Sequence, residues 1–116
     1  MLFIYGTLKR GHSRGSALAD QHYIGDARTR PCYRMYRVDQ YPALVHAEPG
    51  VKVEGELWDV KADCLVELDR IEGVDEGLYR REFIELEGDG QEKSVEAYFY
   101  LPPTEGLEDC GRCWTG

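Results

Sequence analysis

The fold is decided by the stretch Leu2-Phe3-Ile4-Tyr5-Gly6-Thr7-Leu8, which predicts a short buried strand running directly into a turn. Gly6 and Gly11 bracket this turn, so it can place backbone N–H groups at the end of a sheet, where an anion or a developing oxyanion can bind. A tight turn that merely needs glycine is the alternative. The spacing is not that of a nucleotide P-loop, because His12 and Ser13 follow Gly11 in place of lysine and a hydroxyl residue.

Length and composition predict one domain over residues 1–116. The chain has 116 residues, 42% of them apolar, and a chain of this kind can bury a substantial core. Its formal net charge of −8 would repel nucleic acid and anionic membranes, so neither is expected as a partner. A basic cluster at Lys9, Arg10 and Arg14 is too small for a nucleic-acid footprint.

The beginning of the chain predicts neither a targeting segment nor a membrane span. Its apolar start is only four residues long and has no basic region before it, so a cytoplasmic location is expected. The chain shows no sign of secretion and is not too small to hold a core. Reduced thiols are therefore expected for the four cysteines, Cys32, Cys64, Cys110 and Cys113.

Several short strands are predicted. Alternating apolar and polar residues indicate half-buried strands over 51–58 and 94–101, with Glu54 and Glu56 on the solvent side of the first and Glu56 alternatively reaching a cleft. Further strands are predicted over 23–36, interrupted by Pro31, and over 79–86, which a turn at Gly88-Asp89-Gly90 joins to 94–101. Short strands with one good helix indicate an α+β fold built on a mainly antiparallel sheet.

That helix is predicted over residues 63–72, where Asp63 can cap the start and Gly73 can close the end. A shorter helical turn is predicted at Ser16–Asp20. The longer helix has one apolar side, and Glu72 lies on it, in the last turn.

Glu72 is the first candidate for a functional side chain. Burial and the partial negative charge of the helix C-terminus both disfavour a carboxylate, so both are expected to raise the pKa of Glu72. Such a group can accept and return a proton near neutral pH. Alternatively, Glu72 turns out to water or pairs with Arg80 or Arg81.

Three further segments accompany the first turn: Tyr41-Pro42-Ala43-Leu44, Val53-Glu54-Gly55-Glu56-Leu57-Trp58, and Leu68-Asp69-Arg70-Ile71-Glu72-Gly73 with Tyr79-Arg80-Arg81. In this order and with these gaps, the chain resembles the gamma-glutamylcyclotransferase-like family, and most closely its gamma-glutamylamine cyclotransferase branch. The resemblance covers roughly residues 1–101, and its most specific elements are Tyr5-Gly6-Thr7-Leu8 and Leu68-Asp69-x-x-Glu72. It implies a small, closed or nearly closed β-barrel with flanking helices, followed by a variable tail over 101–116.

The resemblance also implies an enzyme that cyclises γ-glutamyl compounds. The α-amino group of the substrate attacks its own γ-carbonyl, and 5-oxoproline and an amine are released with no metal and no cofactor. Glu72 is then the catalytic residue that moves the proton, and substrate is bound by Tyr5, Gly6, Thr7 and Leu8. γ-Glutamyl amino acids and γ-glutamyl amines share the reacting atoms, so the sequence leaves the amine half of this small-molecule partner open, and it gives no oligomeric state.

Two alternative functions stay open. The first is a catalytically silent module that binds a γ-glutamyl-like or carboxylate ligand, although such a module could lose Glu72 without penalty. The second comes from Cys110-x-x-Cys113, which is typical of half a zinc site or of a redox pair. No second ligand pair is recognisable, and the motif follows Pro102-Pro103 in a tail instead of opening a helix.

Four other side chains are weaker candidates. Tyr98 and Tyr100 either line a cavity or pack behind it. Arg80 and Arg81 are expected to give structural support, one of them by pairing with an acidic residue near the helix.

Overall fold

The computed structural model describes residues 1–6, 8–9, 11, 15–88 and 94–114. Its strands are β1 (Leu2–Ile4), β2 (His22–Arg28), β3 (Tyr33–Val38), β4 (Tyr41–His46), β5 (Glu54–Asp59), β6 (Tyr79–Phe83), β7 (Glu96–Tyr100) and β8 (Glu108–Gly111). Helix α1 spans Ala62–Ile71, and 3-10 helices span Gly15–Leu18 and Val74–Glu76. The predicted turn residues Asp89 and Gly90 lie outside the described residues.

β1 lies at the centre of a five-stranded sheet with the order β2-β5-β1-β7-β6. It pairs antiparallel with β5 and parallel with β7. Leu2 and Ile4 pack into one apolar cluster and Phe3 into another, because successive side chains of a strand point to opposite faces. Both faces of β1 are therefore covered, which explains why an unbroken apolar run marks this strand.

The remaining strands form a second, antiparallel sheet with the order β4-β3-β8. The predicted α+β class with mainly antiparallel strands is confirmed. The larger sheet does not close into a complete barrel, but its two edge strands approach each other just beyond β2 and β6. There Thr29 forms a single bridge with Leu86, and the Glu87 N–H donates to the Arg28 carbonyl over 2.9 Å. The sheet is thus nearly closed at this end.

The C-terminal end of helix α1 is the part of the helix that borders the candidate site. It begins at Ala62 with Lys61 as its N-cap, so the prediction that Asp63 caps the start is wrong; Asp63 accepts a hydrogen bond from the Cys64 N–H (2.9 Å) within the first turn. Leu68 is completely buried among the side chains that cover one face of β1. Gly73 adopts a φ of 70°, a left-handed conformation that ends the helix as predicted.

Two expectations for the segment around β5 are wrong. The strand begins at Glu54, whereas Val51 forms an isolated bridge with Tyr33. Glu56 is not on a solvated face: it is only 7% exposed and accepts a hydrogen bond from Trp58 Nε1 over 3.1 Å. Both faces of β5 are covered, because Trp58 packs into one apolar cluster and Leu57 packs against the other.

The four cysteines are free thiols, as expected. No helix in the described part of the chain is long and apolar enough to cross a membrane.

Candidate active site

A cleft lies where the turn after β1, the end of α1, the start of β4 and the strands β6 and β7 meet. Its volume is about 320 Å³ when the open solvent at its mouth is included. The residues that line the cleft include Tyr5, Gly6, Leu8, Pro42, Glu72, Tyr79 and Tyr98.

The turn after β1 is held on two sides. Its backbone is closed by a hydrogen bond from the Lys9 N–H to the Gly6 carbonyl (3.0 Å), and the buried Lys9 side chain donates from Nζ to the Trp114 carbonyl (2.8 Å). On the cleft side, Pro42 packs so closely that a Cβ on Gly6 would lie 2.6 Å from Pro42 Cγ. Glycine is needed here because of this close approach.

Glu72 is placed by the way α1 ends. Its N–H donates to the Leu68 carbonyl over 2.9 Å, so the helical backbone extends through Glu72 before Gly73 turns the chain away. The side chain is half-buried and lines the cleft. Burial raises the pKa of the Tyr5 and Tyr98 hydroxyls, and the negative charge of Glu72 adds to both shifts.

Asp69 ties the end of α1 to the sheet. Its Oδ1 accepts a hydrogen bond from Tyr98 Oη (2.7 Å), and its two oxygens accept from Arg81 over 2.7 and 3.1 Å. Arg81 also donates to Glu96 over 3.0 Å, and it lies opposite Tyr98 in the β6–β7 ladder. The expectation that one of the two arginines pairs with an acidic residue of the helix is confirmed for Arg81.

The tyrosine hydroxyls of the cleft donate their protons to defined acceptors. Tyr5 donates to the Tyr98 carbonyl, and Tyr79 donates to the Pro42 carbonyl over 2.7 Å. Burial raises the pKa of Tyr98, and the hydrogen bond to Asp69 raises it further. Tyr5 and Tyr98 therefore keep their hydroxyl protons at neutral pH. Each hydroxyl is the donor in its hydrogen bond, because a carbonyl or carboxylate oxygen can only accept.

Four of the five predicted site residues, Tyr5, Gly6, Leu8 and Glu72, surround this one cleft. Thr7 lies outside the described residues. Of the weaker candidates, Tyr98 lines the cleft, whereas Tyr100 packs edge-on against Tyr79 with ring centroids 5.3 Å apart.

Pro42 and Tyr79 were not among the predicted site residues. Both occur in the segments that carry the family resemblance, and this was the available signal. Only the tertiary structure shows that both reach the cleft.

The two-cysteine motif lies away from this cleft. Cys110 is on β8, and Cys113 is exposed, with its Sγ 3.7 Å from Lys9 Nζ. Within the ranges that the structure describes, no group of three or more His, Cys, Asp and Glu side chains is placed to hold a metal ion. The next residue, Trp114, is 2% exposed and lies under the Arg37 guanidinium, 4.6 Å from the ring centroid. This segment anchors the tail in the apolar core.

The fold and the cleft define a small α+β protein with a pocket for a small molecule. The chain belongs to the gamma-glutamyl cyclotransferase, AIG2-like family, whose family model matches residues 2–115. Its relatives are named as cyclotransferases, and it is an enzyme of this type.

Three similar proteins illustrate the relationship. The chain is 32% identical over 111 residues to a putative gamma-glutamylcyclotransferase of Methanocaldococcus jannaschii, covering 95% of this chain and 87% of the relative. It is 34% identical over 114 residues to gamma-glutamylaminecyclotransferase A of Danio rerio, covering 89% and 69%. The solution NMR structure of protein ytfP from Escherichia coli superposes with a TM-score of 0.71 at 28% identity, covering 98% of this chain and 94% of that one.

Proposed function

We propose that this protein is a γ-glutamyl-type cyclotransferase that converts a γ-glutamyl compound into 5-oxoproline and a free amine. The observation that carries this proposal is that Glu72 lines the same cleft as Tyr5, Gly6 and Leu8. A carboxylate at one wall and a tight backbone turn at the other supply the two functions that the reaction needs, proton transfer and stabilisation of an oxyanion.

Glu72 acts as the proton carrier. As the α-amino nitrogen of the substrate bonds to the γ-carbonyl carbon, the Glu72 carboxylate accepts a proton from that nitrogen. The same proton is then given to the nitrogen of the leaving amine as its bond to the γ-carbon breaks. No water enters the products, and general acid–base catalysis of this kind contributes about 10² to 10⁴ in rate.

The turn after β1 binds the charge that develops on the γ-carbonyl oxygen. Backbone N–H groups are rigid donors in a turn that Pro42 and Lys9 hold from two sides. Loss of one such donor typically costs about 10² to 10³ in rate. Because the nucleophile and the electrophile belong to one substrate, a cleft that holds the γ-glutamyl chain folded gains much of the advantage of proximity.

The direct test is an assay of 5-oxoproline release from a panel of γ-glutamyl amino acids, γ-glutamyl-ε-lysine and other γ-glutamyl amines. Release from at least one compound is expected. The N-acetylated form of that compound is the control, since acetylation blocks the nucleophile and should stop turnover. Cleavage of the acetylated compound at a comparable rate would mean hydrolysis by water and would overturn the cyclisation. Binding without any product from the panel would instead favour a silent binding module.

A further inference from the structure

Tyr98 lines the cleft, and its hydroxyl proton is committed to Asp69. Tyr98 is 3% exposed, lines the cleft, and donates to Asp69 Oδ1 over 2.7 Å. Asp69 is paired with Arg81 through both carboxylate oxygens, so it is held as an acceptor and cannot rotate away without losing that pair. The direction of the Tyr98 hydrogen bond is therefore fixed.

A phenol whose proton is committed still carries oxygen lone pairs. Tyr98 can thus offer a ligand in the cleft an acceptor and not a donor. The neighbouring Tyr5 hydroxyl donates its proton within the protein, to the Tyr98 carbonyl.

An acceptor beside a carboxylate suits one part of a γ-glutamyl substrate better than the rest. The α-amino group carries N–H donors, whereas the α-carboxylate and the γ-carbonyl oxygen are acceptors that need donors. Tyr98 and Glu72 line the same cleft and lie close enough for the charge of Glu72 to act on the Tyr98 hydroxyl. The acceptor side of the cleft is therefore suited to the amino group, and the backbone turn is suited to the oxygens.

Resting on the proposed function, we propose that Tyr98 Oη accepts a hydrogen bond from the α-amino group of the substrate and that Asp69 is the positioning residue that makes this possible. With one N–H held by Tyr98, the amino group is oriented so that Glu72 can take a proton and the nitrogen lone pair can reach the γ-carbonyl. Asp69 acts only through Tyr98, and Arg81 with Glu96 keeps Asp69 in place.

The test compares the best substrate of the panel with its analogue lacking the α-amino group. Tyr98→Phe should lower kcat/KM for the substrate about tenfold or more, because one hydrogen bond to the reacting group is lost. The same variant should leave the inhibition constant of the amino-free analogue within about twofold of wild type. Asp69→Asn should show the same selective loss to a smaller extent. Glu82→Gln is the matched control, since Glu82 pairs with Arg80 and His46 outside this network, and its kcat/KM should stay near wild type.

Equal weakening of the substrate and the amino-free analogue in Tyr98→Phe would overturn the inference while leaving the proposed function intact. Absence of 5-oxoproline release by the wild-type protein would overturn both. Melting temperatures of all variants check the fold. If Asp69→Asn does not fold, Asp69→Glu keeps the charge for Arg81 while displacing the acceptor, and the same contrast between the two ligands decides the role of Asp69.

Discussion

The end of helix α1 and the C-terminal segment both carry chemically reactive side chains, but these side chains have different surroundings in the structure. At the helix end, the Glu72 side chain lines a cleft, and the Asp69 carboxylate pairs with Tyr98 and Arg81. The C-terminal segment, Cys110 to Trp114, places one thiol in solvent and buries an indole. A reactive residue type therefore indicates chemistry only when other elements build a cavity around it.

The two regions also differ in what their side chains are expected to determine, activity in the first and stability in the second. Glu72 sits half-exposed at a cleft, so changing its charge removes little packing. Trp114 is among the largest fully buried side chains and belongs to the core cluster that contains Phe3 and Tyr5. Substitutions in the first region should change activity, and substitutions in the second should change the free energy of unfolding.

The largest effect is expected from Glu72→Gln, which keeps the shape of the side chain and removes the proton acceptor. The rate of 5-oxoproline release should fall by about 10² to 10⁴, with the melting temperature near that of wild type. The exposed Glu76→Gln is the matched control and should keep full activity. Retained turnover in folded Glu72→Gln protein would remove Glu72 from the mechanism.

Trp114→Ala should give the largest loss of stability. Truncating a buried aromatic side chain costs about 3 to 5 kcal/mol in the free energy of unfolding, measured by urea denaturation. Phe83→Ala is the matched control, since Phe83 is 70% exposed and its loss should cost far less. Equal losses for the two variants would show that the C-terminal segment does not anchor the tail.

Gly6→Ala should affect both properties, because the turn belongs to the cleft and Pro42 packs closely against it. The added Cβ would lie 2.6 Å from Pro42 Cγ, and relieving such overpacking costs about 1 to 3 kcal/mol and moves the turn. Substrate binding should weaken along with stability. Gly25→Ala is the matched control, since a Cβ at Gly25 meets no atom within 4 Å. Unchanged substrate binding in Gly6→Ala would show that the turn is not part of the substrate site.

The smallest effect is expected from replacing Cys110 and Cys113 together by serine. The free energy of unfolding should change by about 1 kcal/mol or less, since Cys113 is exposed and Cys110 only half-buried, and activity should be unaffected by the substitution, by chelators or by thiol reductants. Differential scanning calorimetry with and without a chelator, and zinc analysis of the purified protein, provide the measurements. Stoichiometric zinc, or a large loss of melting temperature on chelation, would show that this segment is part of a zinc site.

Features that depend on neighbours in sequence were predictable. The helix and its end at Gly73 follow from local periodicity and from the left-handed conformation that glycine adopts readily. The family resemblance supplied Glu72 and the first turn as site residues. The burial of Glu56 was missed because alternation assumes one open face, whereas both faces of β5 are covered by apolar side chains.

By itself, the sequence determined the buried first strand, the helix, the α+β class and the side of the helix that carries Glu72. Only the tertiary structure decided what surrounds Glu72. Tyr98 reaches Asp69 across 29 residues, and Tyr5 reaches the Tyr98 carbonyl across 93. β7 is buried on both faces because apolar side chains cover both sides, so no periodic pattern assigns Tyr98 to a cleft. Contacts of this kind depend on how distant segments pack, and local propensities carry no information about that packing.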